Sequence, residues 1–265
     1  AIRAFDVILA ALLETDRDGV IEVLRENLLS DNDMRRRVAM AEIITLKTSE
    51  LENEVAKILD DPDPAMQRRA MSVLGALGSH VADDRLIENL KEIDDESLVK
   101  VSMETLFALD VYIYDAIRPL LDHPYVSVRE TLIGLLRSKI EIYGDDIRRD
   151  FIAQSSNNGS PERRLSIRAM RSLMQILATA EIEPDESLAD AVEMLLDADD
   201  WGVRADAVRI VNRWKEIIDA RIQSPRDPSA LILMIELMES IDEKINSILE
   251  DETDPFVLFV AGGKN

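Results

Sequence analysis

The sequence contains no cysteine, which excludes disulfide bonds and zinc sites built on thiolates. It has only nine glycines in 265 residues, and aromatic side chains make up 4% of it. Dinucleotide-binding folds, barrels and sandwiches need more glycine-rich turns and more aromatic or β-branched runs. Apolar residues still make up 46%, and the abundant Leu, Ala, Ile, Met, Arg and Glu favour helix. These proportions predict an all-α protein with a continuous core.

Long apolar runs and positive charge are also scarce. No run approaches the roughly 20 apolar residues that a membrane-spanning helix needs. Only 31 basic residues stand against 53 acidic ones, which gives a net charge of −22. A uniformly acidic surface repels nucleic acid and anionic membranes. We therefore expect a soluble cytoplasmic protein that does not bind membranes.

Residues that carry catalysis are few. The two histidines, His80 in "GSHVADD" and His123 in "DHPY", both read as turn residues. The sequence has no glycine-rich phosphate loop, no His-Glu-x-x-His pattern and no nucleophile elbow. Acidic pairs such as Asp199-Asp200 are typical of helix caps and solvated turns in so acidic a chain. We predict no catalytic residue, no metal site and no cofactor, and hence that the chain is not an enzyme.

What the sequence does contain is an internal repeat. "LLDADDWGVRADAVRIV" (195–211) and "LLDHPYVSVRETLIGLL" (120–136) follow one plan: two leucines, an acidic turn, a Val-Arg pair, and apolar residues at helical spacing. Seven stretches align on this pair, whose second members fall at residues 3, 35, 67, 100, 129, 166 and 204. The steps of 29 to 38 residues each accommodate two helices and two turns, so the spacing predicts a helical solenoid.

Each unit follows the same physical logic. An Asp- or Pro-containing turn, such as Asp122-His123-Pro124, ends one helix and caps the next. Apolar residues then recur on one face, as at Val128, Leu132 and Leu136. Two amphipathic helices of this length cannot bury their apolar faces alone, so neighbouring hairpins must stack.

The periodicity predicts two layers of helices. The first (outer) layer is expected near 18–29, 49–59, 81–91, 112–121, 144–153, 184–196 and 228–249. The second (inner) layer is expected near 2–14, 32–47, 63–78, 95–109, 125–141, 161–178, 200–222 and 254–260. We expect a single domain over 1–265, with weak subdivision near 154–162 and 223–228. Both ends fall within a repeat, so the chain is either part of a longer solenoid or has degenerate caps.

The stretch Asp61–Gly78, "DPDPAMQRRAMSVLGALG", resembles the HEAT-repeat family in its short variant, and Val128-Arg129 and Val203-Arg204 carry that family's Val-Arg pair. The resemblance covers essentially the whole chain and implies a right-handed α-α superhelix of about seven hairpins. It also implies an arginine that pairs with an aspartate in a neighbouring turn, although Gln67 and Ser166 replace that arginine. The family spans scaffolds, transport receptors, chromatin regulators, a few lyases and DNA-repair proteins.

Positive charge is concentrated on the predicted inner helices. Between residues 32 and 222 they carry 19 of the 31 bases and 13 acids. The candidate partner-binding residues share an inner-helix position that packing does not use: Arg68, Arg69, Arg137, Arg168, Arg171, Arg209 and Arg213. They form either a basic groove for an acidic or phosphorylated segment or pairs with neighbouring acids such as Asp206.

These patterns favour a non-enzymatic protein–protein interaction scaffold. The alternatives are a nucleic-acid-binding protein of the DNA-repair type and, less favoured, a lyase. The resemblance implies that DNA-repair members are basic overall with aromatic side chains near the groove, and we expect neither here. Trp214 is predicted to lie in the core. The terminal strip Phe256–Val260 either packs on the preceding hairpin or associates with a second copy of the chain.

Overall fold

The computed structural model describes residues 11–12, 14–92, 94–155, 166–223 and 228–262. These residues form α-helices and short 3-10 turns and no strand, which confirms the all-α prediction. The predicted inner helix at 2–14 and the two breakers at 154–162 and 223–228 lie largely outside them. None of the described helices is long and apolar enough to cross a membrane.

The chain divides into two compact units, Ala1–Ile117 and Arg118–Asn265. The division falls inside the helix predicted at 112–121 and at neither of the two predicted breakers. Each unit has its own core, and the two are described separately below. The prediction of a single domain over 1–265 stays a prediction.

The first unit is a row of helical hairpins. Its helices, in chain order, are α1 (Arg17–Leu28), α2 (Asp33–Leu46), α3 (Glu52–Lys57), α4 (Pro64–Leu77), α5 (Asp83–Asn89), α6 (Glu96–Ala108) and α7 (Tyr114–Ile117). Even-numbered helices are the inner helices. Each inner helix packs against the outer helix before it, and α4 also packs against both α2 and α6. This is the contact pattern of stacked hairpins within the unit.

The second unit repeats this arrangement. It begins with the 3-10 turn Arg118–Asp122, followed by α8 (Val126–Ser138), α9 (Ile140–Ser155), α10 (Ile167–Leu177), α11 (Glu186–Leu196), α12 (Trp201–Gln223), α13 (Pro228–Asp251) and α14 (Pro255–Val260). The inner helices α8, α10, α12 and α14 pack on one another in sequence order, and the outer helices α9, α11 and α13 do the same. The core sits between these two layers, where Trp214 is fully buried as predicted.

Asp and Asn caps start several of the inner helices. The Asp63 carboxylate accepts the N–H of Ala65 at 2.9 Å, and Pro64 occupies the first helical position, where no N–H is needed. Asn32 and Asp254 cap α2 and α14 in the same way. At the other end of α4, Gly78 has φ +69°, a left-handed conformation that glycine adopts without strain. The acidic turns of the sequence are therefore helix boundaries.

Counted from the caps, the predicted repeat register differs by one residue in α2 and in α6, where the cap Asp95 puts Val99 in place of Lys100, and by four in α10. In α4 the buried Met66 lies three residues after the cap Asp63 and directly before Gln67. Counting from the cap Asn32 puts Arg36, not Arg35, at the position of Gln67. Counting from the cap Ser166 puts Met170 there, so Ser166 itself is a cap. The cap fixes where each helix starts and so decides the register.

Candidate functional site

In three inner helices, α4, α8 and α12, the polar residue that follows the first buried apolar residue serves the fold. Gln67 Nε2 donates to the Asp61 carbonyl at 2.7 Å. Arg129 Nη1 donates to the His123 carbonyl at 2.5 Å, and Arg204 Nη1 donates to that of Ala198 at 2.9 Å. Each of these carbonyls lies six residues earlier, in the turn before the helix. The side chain thus ties the helix start to its own turn.

Arg204, and Arg36 at the equivalent position of α2, also pair with an acid in the next turn, as the family resemblance implies. Arg36 pairs with Asp61. Arg204 makes a bidentate pair with Glu252, with Nε–Oε2 at 2.7 Å and Nη2–Oε1 at 3.0 Å. Hydrogen bonding to Glu252 raises the pKa of Arg204, and hydrogen bonding from Arg204 lowers the pKa of Glu252. These pairs join successive turns.

Three of the seven predicted binding residues have no charged partner in the described structure. Arg68 and Arg69 lie on α4 in the first unit, half-buried and exposed respectively. Arg137 lies in the last turn of α8 in the second unit and is exposed. None of the three makes an ion pair with any described residue. Their charges therefore face solvent.

Arg171 and Arg209 are brought together by one buried carboxylate. Asp206 Oδ2 accepts from Arg171 Nε at 2.8 Å, and Asp206 Oδ1 accepts from Arg209 Nη1 at 2.5 Å. The Asp206 side chain is 1% exposed, whereas the two arginines are 36% and 40% exposed. Gly202 gives Arg171 room, because a Cβ there would lie 2.9 Å from its Cζ. One carboxylate thus serves two guanidinium groups, which leaves one positive charge in excess.

The remaining two predicted residues have exposed acidic neighbours. Arg168 lies 3.6 Å from Asp122, with both side chains about half exposed. Arg213 pairs with Glu216 at 2.8 Å and approaches Glu181 at 3.9 Å. Exposed pairs of this kind hold their partners weakly, because water screens the attraction.

A groove of 710 Å³ lies between α8 and α10 and includes Arg168 and Arg171. We call it the α8–α10 groove. It is lined by Asp122, Val126, Arg129, Glu130, Ile133, Ser166, Ile167, Arg168, Arg171, Ser172 and Gln175. Ser166 donates to Asp122 Oδ1 at 2.6 Å, and Ser172 donates to the Leu121 carbonyl at 3.0 Å. These bonds hold one end of α10 against the turn that precedes α8.

An aromatic cluster beside Arg209 was not predicted. The Arg209 guanidinium lies 5.1 Å from the centroid of the Phe256 ring, and Trp201 meets the same ring edge-on at 5.3 Å. Both aromatic residues lie at the start of an inner helix, one or two residues after a capping aspartate. An aromatic residue just after the capping aspartate in two neighbouring inner helices is therefore the sequence feature that could have predicted the cluster.

The terminal helix α14 packs on α12. This agrees with the first of the two alternatives for Phe256–Val260, packing on the preceding hairpin. Val257 is buried, and Asn212 donates to the Val260 carbonyl at 3.1 Å. Phe259 nevertheless remains 70% exposed. Self-association through Phe256–Val260 therefore stays a prediction.

The histidines lie in turns, as predicted. His80 is exposed and hydrogen-bonds Asp83 through Nδ1 at 2.9 Å. His123 is buried, and its Nδ1 accepts the Tyr125 N–H at 3.3 Å. In the part of the chain that the structure describes, no group of three or more His, Cys, Asp or Glu side chains could hold a metal ion.

A family model and several solved structures are similar to this chain. The family model described as HEAT repeats matches residues 21–106, which run from α1 to α6. No curated protein matches the chain. Among solved structures, an archaeal HEAT-like repeats protein from Thermococcus onnurineus NA1 is 16% identical, with a TM-score of 0.41 over 84% of this chain and 97% of that one. An engineered protein is 17% identical, with a TM-score of 0.36 over 98% of this chain and 82% of that one.

Proposed function

We propose that this chain, which belongs to the HEAT-repeat family, is a non-enzymatic scaffold that binds an acidic or phosphorylated segment of a protein partner. The binding residues are arginines on the inner helices of each unit. One observation supports this most directly: Arg68, Arg69 and Arg137 make no ion pair in the described structure, although the chain has 53 acidic residues. Arginines that face solvent among so many acids are available to an external anion.

The other predicted arginines support the same role to different degrees. Arg171 and Arg209 share Asp206, so together they carry an excess positive charge. Arg168 and Arg213 have weak, exposed partners that a ligand carboxylate can replace. The acidic remainder of the surface repels other anions, which favours a ligand that can place its negative charges directly on these side chains.

The test is a triple charge reversal, Arg68→Glu, Arg69→Glu and Arg137→Glu, because these three residues make no ion pair with any residue that the structure describes. Fluorescence anisotropy is measured with a labelled peptide of alternating Glu and Gly, and with a phosphoserine version. We expect binding at low salt by the native chain and loss of at least tenfold in affinity in the variant. Lys57→Glu, Lys91→Glu and Arg149→Glu, which change exposed bases outside the inner helices, form a control with the same net charge. If both triple variants lose the same affinity, the loss is due to net charge alone, and the inner-helix arginines are rejected as the binding residues.

Nucleic-acid binding is a second candidate because of the aromatic cluster. Trp201 and Phe256 beside Arg209 provide the aromatic side chains that were not expected near these arginines, and bases stack on such side chains. The net charge of −22 opposes this function. A labelled single-stranded oligonucleotide tested in the same assay distinguishes the two. Binding that falls steeply with salt and is lost in Trp201→Ala would favour nucleic acid over peptide.

A further inference from the structure

We infer that the α8–α10 groove binds an acidic peptide segment that carries an aliphatic side chain between its carboxylates. This inference rests on the proposed function and names its site and ligand more closely. The groove volume of 710 Å³ lies in the range of about 300–1,000 Å³ that is typical of ligand sites. Its walls belong to two adjacent inner helices, so both its charge and its apolar surface are held on regular elements.

The charges of the groove call for an anionic ligand. Arg129 donates to two neutral backbone carbonyls, those of His123 and Pro124, which do not neutralise it. Among the described residues, Arg171 pairs with one carboxylate, Asp206, and shares it with Arg209 outside the groove. The one acid that pairs with Arg168 in the described part of the chain is the half-exposed Asp122, at 3.6 Å.

The acids of the groove do not balance these cations. Asp122 and Glu130 are the two acids among the lining residues, against three arginines. The groove therefore keeps a positive excess within a chain of net charge −22, and carboxylates of a ligand complement it.

Apolar side chains at the groove distinguish a peptide from other anions. Val126 is 56% exposed and Ile167 is 61% exposed, and Ile133 lies half-buried between the charged residues. Covering such side chains gains about 25 cal/mol per Å² of apolar surface. A phosphate backbone or a free inorganic anion would leave them in water. A leucine or isoleucine flanked by glutamates satisfies both the arginines and the apolar surface.

The experiment uses a fluorescein-labelled peptide containing Glu-Glu-Leu-Glu-Glu and the full chain. We expect replacement of the peptide leucine by serine to weaken binding about tenfold, as expected for one aliphatic anchor. The chain variant Ile167→Ser should weaken the leucine peptide to a similar degree and leave the serine peptide almost unchanged, because the two changes remove the same contact. Arg168→Gln should weaken both peptides by about three- to tenfold.

Two matched variants control for nonspecific effects. Ile222→Ser removes a comparably exposed aliphatic side chain (51% against 61% for Ile167) from the far end of α12, and Arg149→Gln removes an exposed arginine from α9. Both should bind as the native chain does. If the peptide binds but Ile167→Ser and Arg168→Gln behave like these controls, the groove assignment is overturned and the proposed function stands. If no acidic peptide binds the native chain at low salt, the groove assignment and the proposed function are both refuted.

Discussion

The pair between Arg204 and Glu252 should be among the larger polar contributions to the stability of the second unit. The Glu252 side chain is only 4% exposed, and its carboxylate also accepts the N–H groups of Thr253 and Asp254 at 3.0 and 2.9 Å. Glu252→Gln keeps the shape but removes the charge and turns an amide N–H₂ towards Arg204. Hydrogen bonds to charged groups contribute about 1.5–3 kcal/mol. Arg204 keeps its bonds to the Ala198 and Asp199 carbonyls, so we expect a loss of about 2 kcal/mol.

Urea unfolding followed by tryptophan fluorescence measures this loss directly. Both tryptophans of the chain, Trp201 and Trp214, lie on α12, which also carries Arg204. Glu250→Gln is the matched control, because Glu250 is exposed on the preceding helix α13. A destabilisation below about 0.5 kcal/mol, or one equal to that of the control, would refute the argument that burial makes this pair strong.

The same pair predicts a pH dependence with a definite sign. Hydrogen bonding from Arg204 lowers the pKa of Glu252 in the folded chain, against the opposing effect of burial. The folded state therefore favours the charged carboxylate, and its stabilisation is complete above the unfolded pKa of about 4.3. It is lost as the pH falls through the lower, folded pKa. The difference in unfolding free energy between the native chain and Glu252→Gln should thus shrink when urea titrations are moved from about pH 6 to about pH 3.

Three further changes test packing and the Asp206 site. Gly202→Ala should push the Arg171 guanidinium off Asp206 and cost about 1 kcal/mol net, because the lost hydrogen bond to a buried carboxylate costs about 1.5–3 kcal/mol whereas alanine favours helix by about 1 kcal/mol; NMR should show faster exchange of the Arg171 Nε–H, and unchanged exchange would contradict the close approach. Met40→Ala, at a fully buried site, should cost about 2–5 kcal/mol in urea unfolding followed by circular dichroism. Trp214→Phe should remove the blue-shifted, quencher-protected emission and leave that of the exposed Trp201; residual protected emission would place Trp201 in a different environment.

The helices were predictable because their signals are local. The inner helix expected at 63–78 is α4, Pro64–Leu77, since Asp63, Pro64 and Gly78 mark its ends chemically. The register of α2 was not predictable from the Val-Arg pattern alone. Arg35, Arg36 and Arg37 follow one another, so Met34-Arg35 imitates the repeat pair one residue early. Only the cap at Asn32, whose side chain accepts from Met34 and Arg35 N–H groups, selects the alternative.

The charge arrangement was only partly predictable. Asp206 and Arg209 lie three residues apart on one helix, a spacing at which side chains meet. Arg171 comes from the neighbouring inner helix α10, and its contact with the same carboxylate depends on the space left by Gly202. A sequence pattern at one spacing cannot specify such a three-residue arrangement. Each of the two alternatives, a basic groove and pairing with neighbouring acids, therefore holds for some of the seven candidate arginines. Arg137 faces solvent, whereas Arg171 is paired.

The repeat itself argues for where binding is located. The residue at Gln67, Arg129 and Arg204 is directed to the carbonyls of its own turn and so serves the stack, and of the three only Arg129 also lines the α8–α10 groove. Arginines at other positions supply the charge left for a partner. Arg68 and Arg69 occur together on α4, and Arg168 and Arg171 together on α10. Affinity should therefore be concentrated at one or two hairpins rather than spread evenly along the array, as it would be if the repeated residue made the contacts.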